Sequence, residues 1–205
     1  MTKTQIGILW GLALLVVVVF AVLSQVIARS PGQTMGPQVP LAPVHRLPGI
    51  PQSARSLYPR ADQAARSWQA DAQLVSATAS WSFARVDDFS QPIDWTFQFY
   101  SPGTGQLYVV SVDEAQALPI TSQLSPYSLP AVSPEAWRVD SQEGLSTWLN
   151  QGGAAFLKAH SVVDVSARLH HSADGRLVWS VVGMVRDSQV FHLVRVDAES
   201  GQVIE

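Results

Sequence analysis

Residues 177–204 read LVWSVVGMVRDSQVFHLVRVDAESGQVI, and this stretch decides the fold. Leu177, Trp179 and Val181 alternate with their neighbours, the period of a strand with one buried face. Val190, Val194 and Val196, together with Phe191 and Leu193, mark a second strand. Ser200-Gly201 then turns the chain into Val203-Ile204. Upstream, Val163, Val165, Ala167 and Leu169 alternate too, and Asp174-Gly175 signals a tight hairpin between that strand and Leu177. The stretch therefore reads as a small antiparallel sheet with one apolar face.

Such a face must be covered, and a helix precedes it. Asp140 with Glu143 three residues on forms a capping box in which Asp replaces Ser or Thr. Leu145, Trp148 and Leu149 supply the apolar stripe, and Gly152-Gly153 closes the helix, because glycine takes the left-handed position at a helix end. Ala154 to His160 adds a further helical turn or two.

The first half follows the same plan. Pro59 opens a helix whose Ala61, Ala64, Ala65 and Trp68 recur at helical spacing. Val75, Ala77, Ala79, Trp81 and Phe83 then alternate with Ser76, Thr78, Ser80 and Ser82. A loop with Asp87, Asp88 and Pro92 leads to a strand over 93–99. Pro102-Gly103-Thr104-Gly105 turns it antiparallel into Leu107–Val112. Trp68 matches Trp148 at an offset of 80 residues. Ile93-Asp94-Trp95 matches Leu177-Val178-Trp179, and Val110–Asp113 matches Val194–Asp197, both at an offset of 84. Three anchors in one order read as an internal duplication. Trp95 and Trp179 are then expected to be buried equivalents, each beneath its own helix. Residues 119–134, with four prolines, are expected to be an irregular connection between the halves.

These residues carry a family resemblance. Asp140-Ser141-Gln142-Glu143-Gly144-Leu145, Asn150-Gln151-Gly152-Gly153 and Phe156-Leu157 resemble the helix of PepSY-like domains. Trp179-Ser180-Val181 followed by Val194-Arg195-Val196-Asp197-Ala198-Glu199-Ser200-Gly201-Gln202-Val203 resembles the closing strands of that family. Trp95-Thr96-Phe97 and Val112-Asp113 are a weaker match and lack the Ser/Thr-Gly after the Asp. The resemblance implies an α+β, cystatin-like helix-on-sheet fold outside the cytoplasm, acting as a protein-binding or inhibitory module. The expected architecture is an N-terminal transmembrane helix followed by two helix-plus-antiparallel-sheet units. The expected segments are an anchor at 1–29, a Pro-rich linker at 30–56, a first unit at 57–118, a Pro-rich connection at 119–136 and a second unit at 137–205.

The anchor rests on Ile6–Ile27, IGILWGLALLVVVVFAVLSQVI, which carries no charge. About 20 apolar residues cross a bilayer as a helix. The uninterrupted run Ile6–Leu23 is 18 residues long, above the 7–15 of a cleaved signal, although Val26-Ile27-Ala28 looks like a cleavage site. Basic residues are nearly balanced, with Lys3 on one side and Arg29 on the other. The short tail before the run places the body outside the cytoplasm. Pro31, Pro37, Pro40, Pro43, Pro48 and Pro51 make the following stretch a semi-extended spacer.

Composition narrows the function. The chain has 205 residues, 14% of them charged, with a net charge of −3, so no basic block addresses nucleic acid. It has no Cys, which removes disulfides and thiolate metal sites. The histidines are His45, His160, His170, His171 and His192. His170 and His171 are strand neighbours and point to opposite faces; a pairing of His170 with His192 across strands is the only metal geometry on offer. Asp87, Asp88, Asp113 and Glu114 read as turn and capping carboxylates. No nucleophile-elbow, zinc-protease, phosphate-loop or dinucleotide motif occurs. The expectation is a non-enzyme with no catalytic, cofactor-binding or metal residues and no cofactor. It is held to membrane lipid by residues 6–27 and binds another envelope or membrane protein, with a protease-inhibitory or propeptide-like regulator as the alternative.

Overall fold

The structure is a computed structural model, and it describes residues 52–82, 84 and 94–204. The expected anchor and most of the Pro-rich linker lie outside them, as do Phe83, Asp87 and Asp88. Among the described residues no helix is long and apolar enough to cross a membrane.

The elements are α1 (Ala54–Trp68), β1 (Gln73–Trp81), β2 (Trp95–Ser101), β3 (Gln106–Val112), β4 (Ala117–Leu124), α2 (Ser141–Trp148), one wide helical turn (Leu149–Gly153), α3 (Ala154–Ala159), β5 (Val163–His171), β6 (Leu177–Val185), β7 (Phe191–Asp197) and β8 (Val203–Ile204). All the strands join one antiparallel sheet in the order β4-β3-β2-β1-β5-β6-β7-β8. This corrects the expectation of two separate helix-plus-sheet units. The first strands of the two halves, β1 and β5, pair with each other, with Ala77 opposite Leu169 and Trp81 opposite Val165. An isolated three- or four-stranded sheet leaves two open edges. Fusing two such sheets at β1 and β5 satisfies one edge of each and leaves a single core on one face.

The equivalences at offset 84 recur in the pairing. Trp95 lies opposite Val112, and Trp179 lies opposite Val196. Asp113 accepts hydrogen bonds from the N–H groups of Ala115 and Gln116, both at 2.7 Å; Asp197 accepts from Glu199 and Ser200 at 3.0 and 2.8 Å. Each Asp thereby closes the turn after its strand. These turn N–H groups hold the Asp197 carboxyl below its ordinary value.

Three details differ from the sequence reading. α1 starts before Pro59, at Ala54, with Ser53 as its cap. Pro59 sits in the second turn, where it forgoes one ladder bond and the helix continues. Ala117–Leu124 is a strand and not irregular chain; Pro119 is tolerated there because β4 is an edge. Gly152 takes φ +107°, as expected of a helix-ending glycine, yet the chain resumes as α3 after a kink.

The tryptophans depart furthest from expectation. Trp95 and Trp179 are both buried, at 1% and 0% exposure, but not under separate helices. Their ring centroids are 5.9 Å apart. They stand on β2 and β6, three strand spacings and so roughly 14 Å apart at the backbone. The inward residues of the strands between them include Ala77, Ala79 and Ala167, whose small side chains leave the space into which both indoles lean. Trp81 and Trp137 extend this cluster, at 6.4 Å from Trp95 and 6.1 Å from Trp179. Buried indole N–H groups need partners. Trp95 donates to the carbonyl of Gln52 at 3.0 Å and Trp179 to that of Val139 at 2.9 Å, each just before a helix cap.

The helices lie on this same face with their N-termini together. The Asp140–Glu143 capping box forms as expected. Asp140 also accepts from the N–H of Arg55 in α1 at 3.2 Å, and the Ser141 hydroxyl accepts from the N–H of Ala54 at 3.0 Å. α2 approaches the sheet closely at Gly144, where a Cβ would lie 3.3 Å from the Trp179 ring.

Two outcomes are expected. Trp95→Ala and Trp179→Ala each destabilise the whole body by about 3–5 kcal/mol, and far- and near-ultraviolet probes report one coincident transition; two resolved transitions would contradict a shared core. Gly183→Ala brings a Cβ to 2.7 Å from the Trp148 ring, so it should cost about 1–3 kcal/mol in denaturant unfolding.

Candidate functional site

The sheet has a helix-covered face and an open face, and each presents one distinctive surface. On the covered side, α1 ends at Trp68, whose indole stacks on Tyr108 of β3 with centroids 4.9 Å apart and planes 13° apart. Burial raises the Tyr108 phenol above its ordinary value. Beyond the stack lies a hollow of about 550 Å3, walled by Ala64, Ser67 and Trp68 of α1 and by Ala117, Pro119 and Ile120 of β4. Ile120 and Leu124 of β4 are exposed beside it at 58 and 74%.

The second half holds the matching pair in a closed form. His192 is the residue 84 positions after Tyr108, and Trp148 packs on it with centroids 5.7 Å apart. There the chain folds back after Trp148. Gly153 lies against the Trp148 ring, where a Cβ would sit only 2.4 Å from it, and Phe156 stacks on His192 at 5.8 Å. Trp148 is fully buried and donates to the His192 carbonyl at 3.1 Å. After Trp68, by contrast, the chain runs directly into β1, so no helical segment follows to cover the Trp68–Tyr108 pair.

On the open face the register builds a row across all eight strands: Leu118, Ser111, Thr96, Thr78, Arg168, Ser180, Arg195 and Ile204. The serines and threonines of β1 named from the sequence, Ser76, Thr78 and Ser80, belong to this polar side. At one corner the cross-strand pairs Val182–Leu193 and Met184–Phe191 form an apolar patch. Phe191 is 63% and Met184 49% exposed. Beside the patch a hollow of about 400 Å3 is lined by Ser80, Ser166, Asp164 and Arg186 among others. Asp164 and Arg186 form an ion pair with contacts of 2.8 to 3.1 Å.

The histidines separate. His45 lies outside the described residues. His160 caps the end of α3, with its ring 4.8 Å from Phe156. His170 lies on the open face, whereas His192 packs on the covered face against Trp148 and Phe156, so the sheet stands between them. The ring nitrogens of His171 lie 2.9 and 3.1 Å from the carbonyls of Gly175 and Ala131, tying the β5–β6 hairpin to the connection before α2. Among the described residues no group of three or more His, Asp and Glu is placed to hold a metal ion. Asp113 serves the turn before β4, and Glu114 lies within that turn.

The sequence reading named Ser76, Thr78 and Ser80 of the open face, but neither the arginines and apolar corner beside them nor the Trp68–Tyr108 stack. The open-face cations were visible as alternate positions of strands, Arg168 and Arg195, but their alignment across Ser180 needs the register of three strands. The Trp68–Tyr108 stack needs the contact between α1 and β3, which no local pattern encodes.

His170 has a readable protonation. Its Nδ1 lies 2.9 Å from the His171 carbonyl, which only accepts, so Nδ1 carries the hydrogen and Nε2 accepts from the Ser180 hydroxyl at 2.9 Å. Burial pushes the imidazole below its ordinary value of 6.5; the His171 carbonyl opposes this, and the charges of Arg168, Arg195 and His171 add to it. The unfolded chain therefore takes up the proton first. Stability from this site is complete above about pH 6.5 and falls as pH drops below it, through the folded value. Melting curves against pH should show a shallower acid-side decline for His170→Gln than for the parent; parallel declines would exclude His170 as the cause.

No protein-family profile and no curated protein sequence matches the chain. Among solved structures, the crystal structure of a "putative lipoprotein" from Clostridium difficile 630 aligns with a TM-score of 0.47 and 13% identity, covering 73% of this chain and 90% of that one. A likeness at this level carries no functional inference.

Proposed function

We propose that this chain is a membrane-tethered, extracytoplasmic interaction module that grips a partner protein in the groove between α1 and β4. The observation that carries the reading is the half-buried Trp68 indole, stacked on the buried Tyr108 ring beside the 550 Å3 hollow, whose counterpart in the second half, Trp148, is closed over by the chain itself. Apolar surface is normally removed from water, and a second protein is the usual agent when the chain does not do so. The exposed Ile120 and Leu124 extend the apolar rim. Pro119 lacks an N–H, so side-chain packing in the groove, more than strand addition along β4, supplies the affinity. The apolar run at residues 6–27 holds the module to a membrane, and the Pro-rich stretch joins that run to the body.

The test places a photoreactive phenylalanine analogue at Ile120 in the full chain, in its native membrane. Ile120 is exposed, so the fold tolerates the change. The expected product is one adduct of fixed mass, absent when the analogue stands instead at Arg176 on the far hairpin. No adduct, or equal adducts from both positions, would overturn the groove as the partner site.

A further inference from the structure

We infer that the open face of β5–β7 docks on the anionic surface of a lipid bilayer, inserting its apolar corner while Arg168 and Arg195 engage headgroup phosphates. This rests on the tethered reading above, because the tether is what keeps the body near a membrane. Three observations lead to it.

The first is the corner itself. Phe191, Met184 and Val190 are exposed at 63, 49 and 48%, and Leu193 at 39%. Phe191 and Leu193 pair across strands with Met184 and Val182, so they form one continuous patch at the β6–β7 end. Apolar side chains clustered beside basic ones are the composition of an interfacial membrane contact.

The second is charge. Arg168 and Arg195 flank Ser180 on adjacent strands, about 10 Å apart at the backbone. Among the described residues neither forms an ion pair with a carboxylate. Asp164 is held by Arg186, and the Asp197 carboxyl serves its turn. Asp187, in the β6–β7 turn, lines the hollow beside the corner and faces the charge of Arg186. Two arginines facing outward from one sheet disfavour a second copy of this chain, which would bring four together. They suit a surface dense in phosphate. Ser166, Ser180 and Thr78 add hydroxyls to the same face.

The third is placement. The partner groove opens on the helix-covered side and the corner lies on the other. Docking by the open face therefore leaves the groove turned away from the lipid and free for a partner. The 24 residues 28–51 between the apolar run and the body are enough chain for either face of the body to meet the surface.

The chain has no cysteine, which makes single-site labelling unambiguous. The full chain, as Phe191→Cys or as Gln63→Cys on the exposed side of α1, carries an environment-sensitive fluorophore and is reconstituted into vesicles containing a brominated lipid. Vesicles of phosphatidylcholine alone are compared with vesicles rich in phosphatidylglycerol. The expected result is quenching of the label at 191 and not at 63, in the anionic vesicles. The ratio of docked to free body should fall by about 30-fold in the Arg168→Gln/Arg195→Gln background, from about a kcal/mol for each arginine at the surface. Raised salt should weaken docking in the parent. Equal quenching at 191 and 63, or quenching at 191 that ignores both lipid charge and the arginines, would overturn the proposal. A label at 191 that is shielded only when a partner protein is added would assign the face to protein instead, and overturns it too. Carbonate extraction separates this from the tether: a chain that stays in the pellet without quenching at 191 refutes docking alone, whereas a chain released by carbonate refutes the tether.

Discussion

The contact between Trp95 and Trp179 is the constraint around which the rest of the body is arranged. Two large indoles from strands roughly 14 Å apart can meet only if everything between them is small. Ala77, Ala79 and Ala167 meet that condition at the centre of the sheet, where larger residues are otherwise the rule for a core. The pairing of β1 with β5 brings these alanines together, so the fusion of the two half-sheets and the joining of their cores are one event. Neither half keeps a core of its own, because the two indoles meet over the junction of β1 and β5.

That centre also fixes the helices. Each indole N–H is satisfied by the carbonyl immediately before a helix cap, Gln52 for α1 and Val139 for α2. The two helices are thus pinned by their N-termini at the same place, which sets two positive dipole ends against each other. α1 has no acidic residue in its first turn. Asp140 supplies the missing charge to both: it caps α2 through Ser141 and accepts from Arg55 of α1. Tyr58, one turn into α1, lies edge-on to Trp137 at 5.9 Å; burial first, then the Asp62 charge, lifts its phenol to about 12. The residues that open the helices and the residues that fill the core therefore depend on one another.

Much of this was legible and one step was not. Strands with one buried face announce themselves by period two, and the Asp140–Glu143 box and Asp174-Gly175 hairpin are local chemistry. The offset of 84 linking Trp95 to Trp179 and Asp113 to Asp197 was readable because equivalent strands keep equivalent lengths. What sequence did not disclose was that the half-sheets pair. β1 and β5 carry the same alternation whether they end a sheet or lie at its middle, since edge and centre differ in backbone pairing and not in side-chain pattern. The alanines were the available signal: a small inward residue in a strand of large ones marks a place where something else leans in. Likewise β4 was hidden by Pro119, which is compatible with an edge strand but reads as a break.

The two halves differ most where glycine decides the packing. In the second half Gly183 stands at the position held by Phe99 in the first, 84 residues earlier. Without a side chain there, Trp148 settles directly on β6, and Gly153 lets the following turn close over it. In the first half the Phe99 ring is buried in that space, so Trp68 stacks further out, on Tyr108. A helix ending at Trp68 with no glycine pair after it cannot fold back across its own tryptophan. Two matching frameworks thus diverge into one sealed end and one open groove through the presence or absence of a few side chains.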